Sequence, residues 1–252
     1  MISGRMRSAL KENWVFYFIG FIIVFGVKYF LASAGSDELG WVLAPTAQWV
    51  RVLSGMRFER EPGLGYINHD FRFVIAASCS GVQFMLITFA TFLYSFVHRM
   101  KTKTGGFCWV GLSLAAAYLF TIFVNGFRIV LSIYLYRLDV RSGWLTPERL
   151  HTTAGTAIYF VSLLLIYHLA EKITRTPEKG QAMFKCVSPA FWYLSITLAI
   201  PFLNRAYRNS GGKFAEYAAL VTVVSLSAIL LYGLAAAVRK RLEKRALKHI
   251  IS

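Results

Sequence analysis

Long apolar runs alternate with short polar, mostly basic segments along the whole chain. A helix that crosses a bilayer needs about 20 apolar residues at a rise of about 1.5 Å each. Five runs qualify: Trp14–Ala34, Gly81–Val97, Phe107–Val124, Thr152–Leu169 and Ala215–Val238. A sixth, Cys186–Leu203, is flanked by Pro189 and Pro201. The pattern predicts an all-α polytopic membrane protein with about six transmembrane helices, forming one integral membrane domain over residues 1–252. The first run is too long for a signal-peptide core and lacks an Ala-x-Ala end, so it reads as a retained span. Lys28 interrupts it and must either snorkel or face protein. Between the first two spans, Leu39–Leu53 is apolar but short, which predicts an interfacial or re-entrant helix. Phe58–Ala77 carries Pro62-Gly63-Leu64-Gly65, then Asn68-His69-Asp70, then the alternation Phe71-Arg72-Phe73-Val74. It predicts a short extracytoplasmic hairpin leading into Cys79.

Composition agrees. Of 252 residues 56% are hydrophobic, yet the net charge is +16. A basic excess of this size raises nucleic acid as a partner, but the Lys and Arg lie between apolar runs rather than in one stripe. No nucleic acid is expected; the partner implied is membrane lipid. The basic residues also choose an orientation. One set of loops, holding both termini, carries 16 of them, among them Arg99, Lys101, Lys103, Lys172, Arg175, Lys179 and Lys185. The other carries 11, including Arg57, Arg128, Arg141, Arg205 and Arg208. The positive-inside rule then places both termini in the cytoplasm of a multi-pass cell-membrane protein. Cys79 falls on the outer side, while Cys108 and Cys186 open spans at their inner ends. A disulfide needs Cα atoms within about 7 Å, and the hydrocarbon layer is about 30 Å thick, so Cys79 can pair with neither.

A lone thiol at an oxidising surface calls for a reason. Cys79 is either a small residue packed at a helix start or a nucleophile. Ser78, Ser80 and Gly81 are turn and cap residues, which predicts Cys79 in the first turn of the next helix, where free N–H groups and the helix dipole favour a thiolate. The third run raises a second question. Phe107–Val124 spans about 27 Å as helix, so Asn125-Gly126-Phe127-Arg128 arrives at the outer boundary. The apolar chain then continues through Ile129–Tyr136. As one helix it would exceed a bilayer by about 15 Å. It must therefore tilt steeply, or bend near Asn125-Gly126 and follow the interface. Asn125 and Arg128 share a helix face. Arg128 either snorkels, or meets an anion or a wet cavity. The fourth run opens His151-Thr152-Thr153-Ala154-Gly155, preceded by the helix-start signature Thr146-Pro147-Glu148. His151 is either an ordinary interfacial residue or a proton carrier. Gly155, one turn on, permits close approach of another backbone. His98, His168 and His249 fall on the inner side. His69 is the reserve candidate.

A thiolate can attack a carbonyl, an imidazole can move the protons, and a guanidinium can hold the oxyanion. Three such residues at span ends on one side suit acyl transfer at a membrane surface.

At these residues the chain resembles the exosortase/archaeosortase family of membrane transpeptidases. The family pattern is read in Cys79-Ser80-Gly81, Asn125-Gly126-Phe127-Arg128 and His151-Thr152-Thr153-Ala154-Gly155. The resemblance covers a catalytic core over residues 66–167; the helical pair at 186–238 is accessory and carries none of the motifs. It implies Cys79 as nucleophile, Arg128 as oxyanion stabiliser and His151 as general acid and base, with Asn125, Ser80, Gly81 and Gly155 in support. It implies, as partners, exported proteins ending in a short motif, an apolar helix and a basic cluster. Neither a metal nor an organic cofactor is expected: there is no His-Glu-x-x-His, no ligand-spaced Cys or His pair on the outer side, and no phosphate-cradling Gly-rich loop. Three rivals stand beside this reading. A transporter would use Arg128 to bind an anionic solute. A lipid-phosphate phosphatase would need two histidines and a Lys-Arg cluster on the outer side, where only His151 and His69 are available. An intramembrane serine protease would use Ser80 and need a His within the span.

Overall fold

The computed structural model describes residues 2–137, 146–174, 186–203 and 212–251. Arg141, Arg175, Lys179, Lys185, Arg205 and Arg208, used above for orientation, lie outside the described residues. Seven helices occur among the described residues: α1 Ile2–Leu31, α2 Gly40–Ser54, α3 Val82–Phe96, α4 Lys103–Arg137, α5 Pro147–Ile173, α6 Val187–Leu203 and α7 Lys213–Ile251. Five helical segments are long and apolar enough to cross a membrane: Glu12–Leu31, Ala77–Arg99, Lys103–Tyr136, Pro147–Ile173 and Lys213–Arg239. The chain is an all-α polytopic membrane protein. The sixth apolar run forms the shorter α6, in which Ser195–Ala199 is a π-helical turn directly before Ile200-Pro201. Pro201 has no N–H to offer the preceding turn, and a widened turn is one way a helix passes such a residue.

The chain divides into two compact units, Met1–Tyr159 and Phe160–Ser252, with the boundary inside α5. In the first unit α3 is the central helix: most of its residues are buried, whereas the span of α1 is largely exposed. Val82, Met85, Phe89, Leu93 and Val97 join Val42, Leu43, Ala47 and Val50 of α2 and Ala117, Ile129 and Ile133 of α4 in one core. α1 and α4 both run antiparallel to α3. At one end Tyr17 stacks on Tyr94 at 5.5 Å, Phe16 meets Phe107 at 5.1 Å and Trp109 donates to the Phe92 carbonyl at 3.2 Å. At the other end Lys28 Nζ donates to Gln83 Oε1 at 3.3 Å. Lys28 thus faces protein.

α2 packs lengthwise against the C-terminal half of α4. Trp41 stacks on Tyr118, whose hydroxyl donates to the Trp41 carbonyl at 2.8 Å. Trp49 donates to the Phe123 carbonyl at 3.2 Å and lies where a side chain on Gly126 would be. Of the two alternatives expected, a steep tilt or a bend near Asn125-Gly126, the structure shows no break in the helix at that pair. The helix runs unbroken through that pair, for about 52 Å at the usual rise, because Gly126 provides room for an indole rather than a hinge. The hairpin is a three-stranded antiparallel sheet, β1 Glu59–Glu61, β2 Gly65–Asn68 and β3 Phe73–Ile75. Its register pairs Arg60 with Tyr66 and Ile67 with Val74. Asp37, in the α1–α2 linker, ties the sheet down by accepting from Gly63 N at 2.7 Å and Arg60 Nη2 at 3.3 Å.

The second unit is built from the rest of α5 with α6 and α7. Phe160 meets Tyr193 edge-on at 5.1 Å. His168 bridges α5 to α7: its Nδ1 faces the Leu164 carbonyl at 2.7 Å and its Nε2 faces Tyr232 Oη at 2.6 Å.

Candidate active site

β3 delivers the chain into a short 3-10 turn, Ala77–Cys79, whose first N–H donates to Ser36 Oγ at 3.1 Å. Cys79 ends this turn with its own N–H bonded to the Ala76 carbonyl at 2.8 Å. The helix begins only at Val82, so the expected place of Cys79 in its first turn is corrected. The reason is Gly81, which caps α3 at φ 72°, a left-handed conformation that side chains resist. That kink turns the chain after Ser80, and Cys79 stands before the helix rather than on it. Ser80 is buried and accepts from Val82 N at 3.5 Å, so its hydroxyl serves the helix start. Cys79 is half-buried, with Ser78 Oγ 4.0 Å from its sulfur. All three cysteines are free thiols.

Gly81 has a second constraint. A Cβ there would lie 2.9 Å from Asn125 Cγ and 3.1 Å from Thr121 Cγ2. The absent side chain lets α4 present Asn125 directly to the turn. Asn125 is fully buried and donates Nδ2–H to the Cys79 carbonyl at 2.6 Å. Arg128, at i+3 on the same face, donates Nη1–H to Asn125 Oδ1 at 3.4 Å. Ser132 completes the stripe by donating to the Arg128 carbonyl at 2.8 Å.

α5 closes the other side. Its start follows the predicted signature: Pro147 is the first helical residue, and Thr146 Oγ1 accepts from Arg149 N at 3.3 Å as a cap. His151, Gly155 and Tyr159 then recur every fourth residue on one face. Gly155 lies against the guanidinium, with its missing Cβ 3.0 Å from Arg128 Nε. Tyr159 donates to Asn125 Oδ1 at 2.7 Å, accepts from Arg128 Nη1 at 3.4 Å, and places its ring 5.2 Å from Arg128 Cζ. Phe84 of α3 stacks on that ring at 4.4 Å.

The structure therefore joins Cys79, Gly81, Asn125, Arg128 and Gly155 into one cluster. Arg128 has no acidic partner among the described residues, and its Nε is buried without a hydrogen bond. His151 occupies the same α5 face, near enough to Arg128 for the two to interact electrostatically. Its side chain is exposed and has no hydrogen bond to Cys79 or Arg128. His69 is paired with Glu61 at 3.2 Å across the sheet. Tyr159 is the member that reading the sequence missed. The available signal was its spacing, since Tyr159 follows Gly155 by the same four residues that separate Gly155 from His151.

Among the described residues no group of His, Cys, Asp and Glu has the arrangement of a metal site. Fold and cluster together define a helical membrane protein that holds a thiol-bearing turn, through Asn125, beside a half-buried guanidinium with no acidic partner among the described residues. The transmembrane exosortase family profile matches residues 5–168, more than half of the chain, and extends through the first span. This chain belongs to the exosortase family. No curated protein and no solved structure matches it.

Proposed function

We propose that the chain is a membrane-embedded cysteine peptidase or transpeptidase that cleaves exported proteins near a C-terminal sorting signal. The basic loop bias supports an extracytoplasmic site with both termini in the cytoplasm. The observation that carries the reading is the hydrogen-bonded path Cys79–Asn125–Arg128, ending in a guanidinium with donor capacity and no carboxylate to neutralise it.

In this mechanism the Cys79 thiol gives its proton to His151, and the sulfur attacks the scissile carbonyl carbon. The electron pair of the C=O bond moves to oxygen, and Arg128 donates to that oxyanion. When the intermediate collapses, the C–N bond breaks and the leaving amine takes the proton from His151. The product is a thioester on Cys79. An acceptor hydroxyl or amine, or water, then attacks the thioester, passes a proton to His151 and releases the thiolate, which is reprotonated. A substrate carrying its own membrane helix reaches such a site by lateral diffusion.

The test uses the full chain in lipid–detergent micelles with an exported protein of the same cell that ends in a short motif, an apolar helix and a basic cluster. Cys79→Ala is expected to abolish processing, and hydroxylamine added to the native protein should release the cleaved substrate as its hydroxamate. Undiminished processing by Cys79→Ala sinks the proposal. The half-buried, unneutralised Arg128 also favours one second reading, an anion-binding transporter. Solute uptake that persists in Cys79→Ala and is lost in Arg128→Lys would select it.

A further inference from the structure

Tyr159 is the point where the three site-bearing helices meet, through Phe84 of α3, Asn125 and Arg128 of α4, and its own α5. Its hydroxyl has one proton to give. A guanidinium only donates, so the proton goes to Asn125 Oδ1 at 2.7 Å and the oxygen accepts from Arg128 at 3.4 Å. Asn125 Oδ1 therefore receives two donors. An amide whose oxygen is occupied in this way has its nitrogen direction fixed, and that nitrogen holds the Cys79 carbonyl at 2.6 Å. Arg128 meanwhile is gripped at Nη1, over the Tyr159 ring, while Gly155 leaves space beside Nε. A guanidinium is planar and rigid. Held at one corner and over one face, it presents its remaining N–H groups in a set plane.

We propose that Tyr159 is a positioning residue for the reaction. It fixes the Asn125 amide that anchors the thiol-bearing turn, and it orients the Arg128 guanidinium toward the oxyanion. The inference rests on the thioester reading above. It extends the His151–Gly155 face by one helical turn, so that α5 supplies the proton carrier, the space for the guanidinium and the clamp in sequence.

Tyr159→Phe is the informative variant because it keeps the ring that stacks on Phe84 and underlies Arg128, and removes only the hydroxyl. Turnover of the same tail-bearing protein should show kcat lowered about tenfold, the equivalent of one lost hydrogen bond of about 1.4 kcal/mol. KM should stay unchanged. In an Arg128→Lys background the added substitution should cost less than in the native chain, since only the bond to Asn125 is then left to lose. Gly155→Ala approaches the guanidinium from the other side and should also lower kcat. A residue that merely stabilises the fold would lower Tm and leave the kinetics and the coupling alone. Native kcat in Tyr159→Phe, or losses that multiply with Arg128→Lys, overturns the role of Tyr159 while the inactivity of Cys79→Ala keeps the thioester reading standing. Should Tyr159→Phe fail to fold, native kcat in Gly155→Ala overturns it instead. Full turnover by Cys79→Ala removes both.

Discussion

Two tyrosines in this chain reach across apolar helices to a polar partner, with different results. In the second unit Tyr232 meets His168, and the imidazole is satisfied at both nitrogens: Nδ1 by the Leu164 carbonyl and Nε2 by Tyr232 itself. That cluster is closed, with a partner at each ring nitrogen. In the first unit Tyr159 meets Asn125 and Arg128, and the cluster stays open: it carries a full charge, no carboxylate, and an Nε–H without a partner. Burying a polar group costs free energy unless it is bonded, and burying a charge costs more. A closed cluster repays that cost inside the fold and acts as a tie between helices. An open one leaves the cost standing until a ligand or a transition state supplies the missing acceptor. Satisfaction of the donors thus separates two hydrogen-bonded tyrosines in membrane helices.

Four substitutions, the first with a control at His69, test that contrast, from the largest effect down. Loss of the proton carrier should weigh most. His151→Ala is expected to slow processing by roughly 10²–10⁴-fold, the usual worth of general acid–base catalysis, whereas His69→Ala stays near native because His69 is already paired with Glu61. A larger loss at His69, measured in the same assay, would reverse the assignment. Next comes Arg128→Lys. It keeps the charge and loses the planar fork, and should slow turnover by about 10²-fold, comparable to losing an oxyanion donor. Turnover within a few-fold of native returns Arg128 to a simple anchor. Gly81→Ala should do two things at once. A side chain at φ 72° is strained, by about 1–2 kcal/mol, and its Cβ drives against Asn125, so both Tm and kcat should fall. An unchanged kcat would show that the Asn125–Cys79 contact is dispensable. The smallest effect is expected in the closed cluster: Tyr232→Phe should cost about 1 kcal/mol of stability and leave turnover within about twofold. Against Tyr159→Phe it is the same chemical change with opposite readouts, and equal kinetic losses in the two would erase the distinction.

How far the sequence reveals this arrangement depends on the range of the forces involved. Apolar runs of bilayer length declare the five long spans, because the solvent alone dictates them. Thr146-Pro147-Glu148 declares the start of α5, because a cap is made by residues three apart. Cys79-Ser80-Gly81 is legible as a turn, but the pattern does not say which residue breaks away. The left-handed Gly81, pressed against Asn125 of another helix, decides it and sets Cys79 before α3. The short run at Leu39–Leu53 has the same composition whether it floats at an interface or packs on a neighbour. The tryptophans at 41 and 49 show which neighbour it packs on, through partners in α4. Tyr159 looks like any aromatic in an apolar helix until its hydroxyl meets Asn125, which is 34 positions away.

The unbroken α4 also acts as a measuring rod. Lys103 starts it beside the basic cluster Arg99-Met100-Lys101, and Asn125 lies about 33 Å up its axis at 1.5 Å per residue. On the orientation proposed above, with Lys103 at the inner edge of an acyl-chain layer about 30 Å deep and α4 upright, the guanidinium would stand at headgroup height. On the proposed chemistry, only a peptide bond standing a few residues beyond a client's own hydrophobic stem comes level with the sulfur. Lengthening that stem by one turn would lift the bond past it, so the enzyme would select clients by height as well as by motif.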